Sequence, residues 1–253
     1  MRFASLGSGS RGNATLVEAG DTCLLIDCGF PLRELERRLG VLGRTAGDLS
    51  AIVVTHEHAD HVRGVGATVR RHGTRVLSTR GTARAGGLDE LPGWQPFDSH
   101  AGSLRVGDIE VLPYAVPHDA REPCQFVLAS GRWRLGVLTD AGRVTPHIAQ
   151  TLATVDALLL ECNHDPDMLA AGPYPPALRA RVGGPLGHLS NGQAAALLAQ
   201  LDCGRLAHVV AGHLSEKNNR PVLARAALLE AAHTIGDRLA ILAQDAPSPW
   251  FTL

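Results

Sequence analysis

Apolar positions along this chain come in short runs rich in Val, Ile and Leu, and several runs stop abruptly at histidine or aspartate. Runs of that length, bounded by Gly, Pro, Asn and Asp, read as strands. Strands are expected at residues 2–6, 14–18, 22–26, 49–55, 75–78, 157–160, 206–211 and 240–242. Alternating polarity around Gly107-Asp108 predicts a hairpin over 104–111, and Gly131-Arg132 joins a second one from 125–130 to 133–139. Elsewhere the apolar period lengthens to that of a helix. Leu32, Leu35 and Leu39 share one face of a helix over 31–39, with Pro31 in its first turn and Gly40 at its C-terminal cap. Further helices are expected at 61–71, 81–86, 175–181, 193–201 and 221–232, and Asp165 is placed to cap one that ends at Ala170. Two halves follow this plan with no Pro/Ser-rich linker between them, so residues 1–253 are read as one α/β domain.

The chemistry gathers where the strands stop. Ile52-Val53-Val54 runs into Thr55-His56-Glu57-His58-Ala59-Asp60-His61. Imidazoles and a carboxylate suit zinc, iron or manganese. His56 and His58 are two residues apart, so a turn aims both rings at one ion, and Asp60 and His61 follow closely enough to hold a second. His118, Asp140 and His213 are isolated in sequence, yet each also follows an expected strand. Gly7-Ser8-Gly9-Ser10-Arg11-Gly12-Asn13 is a loop of small residues, read either as an ordinary tight turn or as backbone that lets an anion approach.

The 55–61 segment resembles the HxHxDH signature of the metallo-β-lactamase-fold hydrolases. That resemblance implies an αββα sandwich of two mixed sheets flanked by helices. It assigns His56, His58 and His118 to one divalent ion and Asp60, His61 and His213 to a second, with Asp140 bridging. It also places Asp27 behind the metal loop as a support rather than a ligand. An ion pair of this kind makes hydroxide from water near neutral pH, so a bridging hydroxide is the expected nucleophile and Asp60 a catalytic residue. The 7–13 loop, Pro117-His118-Asp119, Glu161-Cys162-Asn163-His164-Asp165, Gly187-His188-Leu189-Ser190-Asn191 and 213–219 together are similar to the YycJ/WalJ family, relatives of ribonucleases Z and J. The family implies a phosphodiesterase with zinc or manganese, iron being a further option, acting as a 5′-to-3′ DNA exonuclease on single strands or DNA ends. His188 is then expected to hold the scissile phosphate or protonate the leaving oxygen. Ser10, Asn13, Asn163, His164 and Lys217 are the expected substrate contacts.

Composition narrows the partners. The chain has 253 residues and a formal net charge of −1, which argues against a broadly basic nucleic-acid surface though not against a local patch. The length leaves no room for the inserted β-CASP domain of large ribonucleases J. Any polynucleotide must be gripped by the core surface or by a homodimer. Five cysteines without a CxxC pattern argue for reduced thiols. No export signal or apolar run of membrane length is visible, so a cytoplasmic protein without membrane contact is expected. The competing readings are a small-molecule, cyclic phosphodiesterase, a thioesterase resembling glyoxalase II, and a metal-binding protein without catalysis.

Overall fold

A computed structural model describes residues 1–253, which divide into two compact units. The first comprises Met1–Ala115, Ala120–Arg132 and Ala243–Leu253. Its strands are β1 (Arg2–Gly7), β2 (Ala14–Ala19), β3 (Thr22–Ile26), β4 (Ala51–Val53), β5 (Arg75–Ser78) and β6 (Trp94–Pro96), followed by β7 (Leu104–Val106), β8 (Ile109–Ala115) and β9 (Cys124–Ser130). The chain's last strand, Phe251–Thr252, pairs antiparallel with β1 and opens a seven-stranded sheet that continues in order to β6. β1, β2 and β3 are antiparallel, and β3 through β6 are parallel. β7, β8 and β9 form an antiparallel meander. Ala51, Ile52 and Val53 are fully buried, as a central parallel strand covered on both faces requires.

Four helices belong to this unit: α1 (Leu32–Val41), α2 (Ala59–Val62), α3 (Val65–His72) and α4 (Arg80–Gly86). Leu35 and Leu39 of α1 and Val65 and Val69 of α3 join Leu6, Leu16, Leu25 and Ile52 in one core. Each such side chain stabilises the fold by about 1.5–3 kcal/mol relative to exposure. Several boundaries differ from the sequence expectation. Pro31 precedes α1 as its N-cap, and the helix runs through Gly40 to Val41. The left-handed turn falls at Gly43 instead, where Arg44 N–H reaches the carbonyl of Leu39. The single helix expected over 61–71 is two, interrupted at Arg63-Gly64. Gly64 lies so close to the Phe30 carbonyl that a Cβ there would approach it to 2.1 Å.

The second unit comprises Val116–Asp119 and Trp133–Leu242. Its strands β10 (Trp133–Leu138), β11 (Ala157–Glu161), β12 (His208–Gly212) and β13 (Leu239–Ile241) are all parallel. Helical crossovers are therefore required. They are supplied by α5 (Pro146–Leu152), by α6 (Pro166–Ala171), α7 (Pro176–Val182) and α8 (Asn191–Leu198), and by α9 (Pro221–Ala231). Asp165 caps α6 as expected, its Oδ1 accepting from Met168 N–H at 2.9 Å. Ser190 caps α8 in a reciprocal box with Gln193, so that helix starts two residues earlier than its apolar pattern suggests. Because all four strands run one way, their C-terminal ends share one edge of the sheet. The register pairs Leu138 with Leu160 and Glu161 with Gly212, so Asp140, Glu161 and His213 emerge side by side. No helix in the chain is long and apolar enough to cross a membrane.

Candidate metal centre

In the first unit β4 delivers His56, His58, Asp60 and His61 into a loop clasped by residues 27–29. Cys28 N–H bonds the His61 carbonyl at 2.7 Å, Asn13 N–H bonds the Asp60 carbonyl at 2.8 Å, and Gly29 N–H bonds the Asn13 carbonyl at 2.9 Å. Residue 29 must be glycine, since a Cβ would lie 1.7 Å from the Asp60 carbonyl oxygen. The His56 and His61 rings are 4.1 Å apart between centroids, and His56 and His58 are 4.6 Å apart. Asp60 Oδ2 lies 3.5 Å from His61 Nε2.

Buried acceptors fix which ring nitrogen faces forward. Asp27 Oδ2 accepts from His61 Nδ1 at 2.7 Å, and its Oδ1 accepts from Thr55 N–H at 2.8 Å. Thr55 Oγ1 donates to Asp27 and so presents a lone pair to His56 Nδ1 at 2.9 Å. Both histidines therefore hold their protons on Nδ1 and turn Nε2 outward, the arrangement by which a carboxylate orients a metal-bound imidazole.

In the second unit His118, Asp140, Glu161, His188 and His213 gather at the edge of the parallel strands. One ligand atom from each of Asp140, Glu161, His188 and His213 lies within 4.8 Å of all the others. His118 Nδ1 donates to the Gly187 carbonyl at 3.0 Å, which again leaves Nε2 forward. Burial pushes the His118 pKa below the ordinary histidine value despite the opposing charge of Asp140. A neutral imidazole is the form that binds a metal. His213 Nδ1 is 3.0 Å from Asp140 Oδ1. His188, with a side chain 22% exposed, donates from Nδ1 to Glu161 Oε1 at 2.8 Å.

Three non-glycine residues in the chain have a left-handed backbone: Asp27 (φ 58°), Asp140 (φ 53°) and His213 (φ 54°). Each directly or closely follows a strand of its unit. Left-handed backbone costs about 1–2 kcal/mol for an L-residue, and it persists where surrounding structure holds it for a functional reason. Oriented Nε2 atoms, buried carboxylates and hard oxygen and imidazole donors without a thiolate are the donor chemistry of a catalytic divalent-metal site.

The remaining expected residues fall into different settings. Ser10 is exposed at the tip of the 7–13 loop. Asn13 is buried and turned inward, its Nδ2 lying 3.2 Å from Asp60 Oδ2 and 3.1 Å from His61 Nε2, so it braces the metal loop. Asn163 is likewise buried and donates from Nδ2 to the His213 carbonyl at 3.0 Å. His164 is 4% exposed, and burial lowers its pKa. Lys217 is exposed, with its amine 5.8 Å from the Tyr174 ring centre. Glu161 was not among the expected site residues. It is fully buried, and its Oε2 accepts from Ala141 N–H and Leu189 N–H, each at 3.1 Å. The available signal was a carboxylate closing an apolar run, as Asp27 and Asp140 also do.

A profile described as the Beta-lactamase superfamily domain matches residues 22–213. Exodeoxyribonuclease YycJ of Bacillus anthracis is 33% identical over 228 residues, covering 89% of this chain and 86% of that protein. The chain belongs to the YycJ/WalJ family of the β-lactamase superfamily. Exodeoxyribonuclease WalJ of Streptococcus pneumoniae is 32% identical over 229 residues, 88% of this chain and 85% of its own. Among solved structures, the metallo-β-lactamase fold protein YhfI of Bacillus subtilis superposes with a TM-score of 0.76 at 15% identity, covering 99% of both chains. This family member thus has the expected fold of two mixed sheets flanked by helices, and it is a metal-dependent hydrolase.

Proposed function

We propose that this hydrolase is a dinuclear phosphodiesterase that removes nucleotides from DNA ends in the 5′-to-3′ direction. The reading is carried by one conjunction. A chain one-third identical to two exodeoxyribonucleases across most of its length carries both oriented histidines on the 55–61 loop and the Asp140, Glu161, His188 and His213 cluster. On this reading His56, His58 and His118 would hold one ion and Asp60, His61 and His213 the other, with Asp140 as a further carboxylate ligand, in a chain read as one domain over residues 1–253. Two divalent ions, zinc or manganese, supply Lewis acidity and a nucleophile from water near neutral pH.

The chain's own residues complete the reaction. Glu161, held by two backbone N–H groups, accepts from His188 Nδ1 and orients the ring. His188, the more exposed partner, donates a proton from its other ring nitrogen to the departing sugar oxygen. Asn13 and Asn163 keep the metal loop and the His213 loop in place.

The test is nucleotide release from a 5′-phosphorylated single strand with manganese added, for the wild-type chain and Asp60→Ala. Stepwise release by the wild type alone is expected. Absence of release from protein carrying two ions per chain sinks the nuclease reading and turns attention to small phosphodiesters.

A further inference from the structure

A second feature of the first unit lies directly beside the metal loop. Arg80, Gly81, Arg84, Ala85, Arg121 and Glu122 line a cleft of about 590 Å³. All three arginines are exposed, and none has an acidic partner. Other arginines do have acidic partners, such as Arg2 and Arg44 with Glu18, Arg37 and Arg38 with Glu34, and Arg205 with Asp156. The one carboxylate lining the cleft, Glu122, is engaged by Gly81 N–H through Oε2. The cleft thus gathers three guanidinium groups around one carboxylate that is already engaged, in a chain whose net charge is −1.

Two placements are unfavourable for folding. Arg80 and Arg84 stand four apart on α4, where like charges repel. Arg80 also opens the helix, at the positive end of its dipole. The cleft is also built to a tight fit. A Cβ on Gly81 would come within 2.6 Å of Glu122 Cβ and 3.2 Å of Arg121 Cγ, so glycine lets the 120–122 segment seat on α4. The wall is tied to the metal loop: Arg121 N–H donates to Glu57 Oε1 at 2.7 Å, and Glu57 sits between His56 and His58.

We propose that the Arg80, Arg84 and Arg121 cleft binds the backbone phosphates of the DNA strand leading away from the scissile end. The inference rests on the nuclease reading and specifies it: the substrate is a strand with neighbouring phosphates, not an isolated phosphodiester. Guanidinium forks match phosphate oxygens in pairs, and such contacts position a strand without reading its bases.

The experiment measures binding of a nuclease-resistant phosphorothioate single strand to the manganese-loaded chain across a salt series. The chains compared are the wild type, Arg80→Ala/Arg84→Ala/Arg121→Ala, and the corresponding triple lysine variant. Hydrolysis of an ordinary single strand and of bis-p-nitrophenyl phosphate is followed in parallel. The alanine variant is expected to bind roughly tenfold or more weakly, with a log–log salt slope shallower by about two, at ~0.7 per lost phosphate contact. The lysine variant keeps most of the slope, since charge is retained. The ratio of strand to small-ester hydrolysis falls with binding in the alanine variant. Unchanged affinity and slope overturn the proposal while leaving the nuclease reading in place. A wild-type chain that binds through these arginines but cuts no strand overturns the nuclease reading and keeps the cleft. Failure of the wild type to bind the strand overturns the cleft itself.

Discussion

Replacing Glu161 by glutamine tests how the second unit moves a proton. The side chain keeps its size, so its buried site is not emptied. Its two oxygens are not equivalent, however. Oε2 accepts from Ala141 and Leu189 N–H at 3.1 Å each, and Oε1 accepts from His188 Nδ1 at 2.8 Å. A glutamine satisfies the two backbone donors only with its carbonyl on the Oε2 side. Its NH₂ then faces His188 Nδ1, which must accept and cannot carry a proton. A hydrogen bond to a charged partner contributes about 1.5–3 kcal/mol, and its loss alone would slow the reaction roughly 10- to 150-fold. The ring also loses the acceptor that orients its proton, so strand hydrolysis should fall about 10²- to 10⁴-fold, the usual range for a lost general acid. His188→Ala should fall as far. The double variant should be no slower than His188→Ala, because the carboxylate acts only through the ring. Bis-p-nitrophenyl phosphate, whose leaving group departs without a proton, should lose far less than DNA. Metal content per chain, measured alongside, should not change. Additive losses, or equal losses on both substrates, would refute the Glu161–His188 assignment, and loss of metal would make Glu161 a ligand.

Two further outcomes follow from buried carboxylates. Asp27→Asn keeps the Thr55 N–H bond but no longer fixes the His61 proton on Nδ1, so metal affinity by chelator competition should weaken about 10- to 100-fold, and unchanged affinity would remove Asp27 from its supporting role. Burial raises the Glu18 pKa, but hydrogen bonds and charges from Arg44 and Arg2 outweigh it and hold the carboxyl below its ordinary value. A depressed native value means that the stabilisation is present above the unfolded carboxyl range and is lost as pH falls through the native value. Glu18→Gln should therefore cost about 1–3 kcal/mol at neutral pH by denaturant unfolding, with the gap closing in acid, and a gap independent of pH would show the charge to be irrelevant.

What the sequence made legible is the part governed by local rules. The strand that runs into the 55–61 loop, the Gly107-Asp108 turn and the Asp165 cap are each decided within a few residues, and all appear in the fold. The rest depends on distant chain. Strands Trp94–Pro96 and Phe251–Thr252 lie at sheet edges and are too short to show a period, so only their partners define them. The break at Gly64 exists because Phe30 crosses there. Asn13 faces inward because Asp60 and His61 arrive beside it from residues far along the chain. The missed helix Pro146–Leu152 is a different case, for its start was written locally: Thr145 caps it and Pro146 occupies its first turn.

The left-handed residues connect local backbone to function most directly, and His213 is the sharpest case. Glycine adopts this conformation freely, while histidine, like asparagine and aspartate, enters it more often than other residues but still at a steric cost, here at φ 54° just after β12 ends. If the site imposes the strain, its relief must be measurable in the chain without metal. At an ordinary helical or extended position glycine is less stable than alanine by about 0.5–1 kcal/mol, because glycine loses more chain entropy on folding. At a left-handed position alanine bears about 1–2 kcal/mol of steric cost that glycine does not. The two terms oppose, and the steric one wins by about 0.5–1 kcal/mol. His213→Gly should therefore melt above His213→Ala in chelator, a reversal of the usual order, while both variants lose metal-dependent turnover. If His213→Ala melts higher, the backbone at 213 is not held left-handed in the folded chain, and the argument from strain to site fails with it.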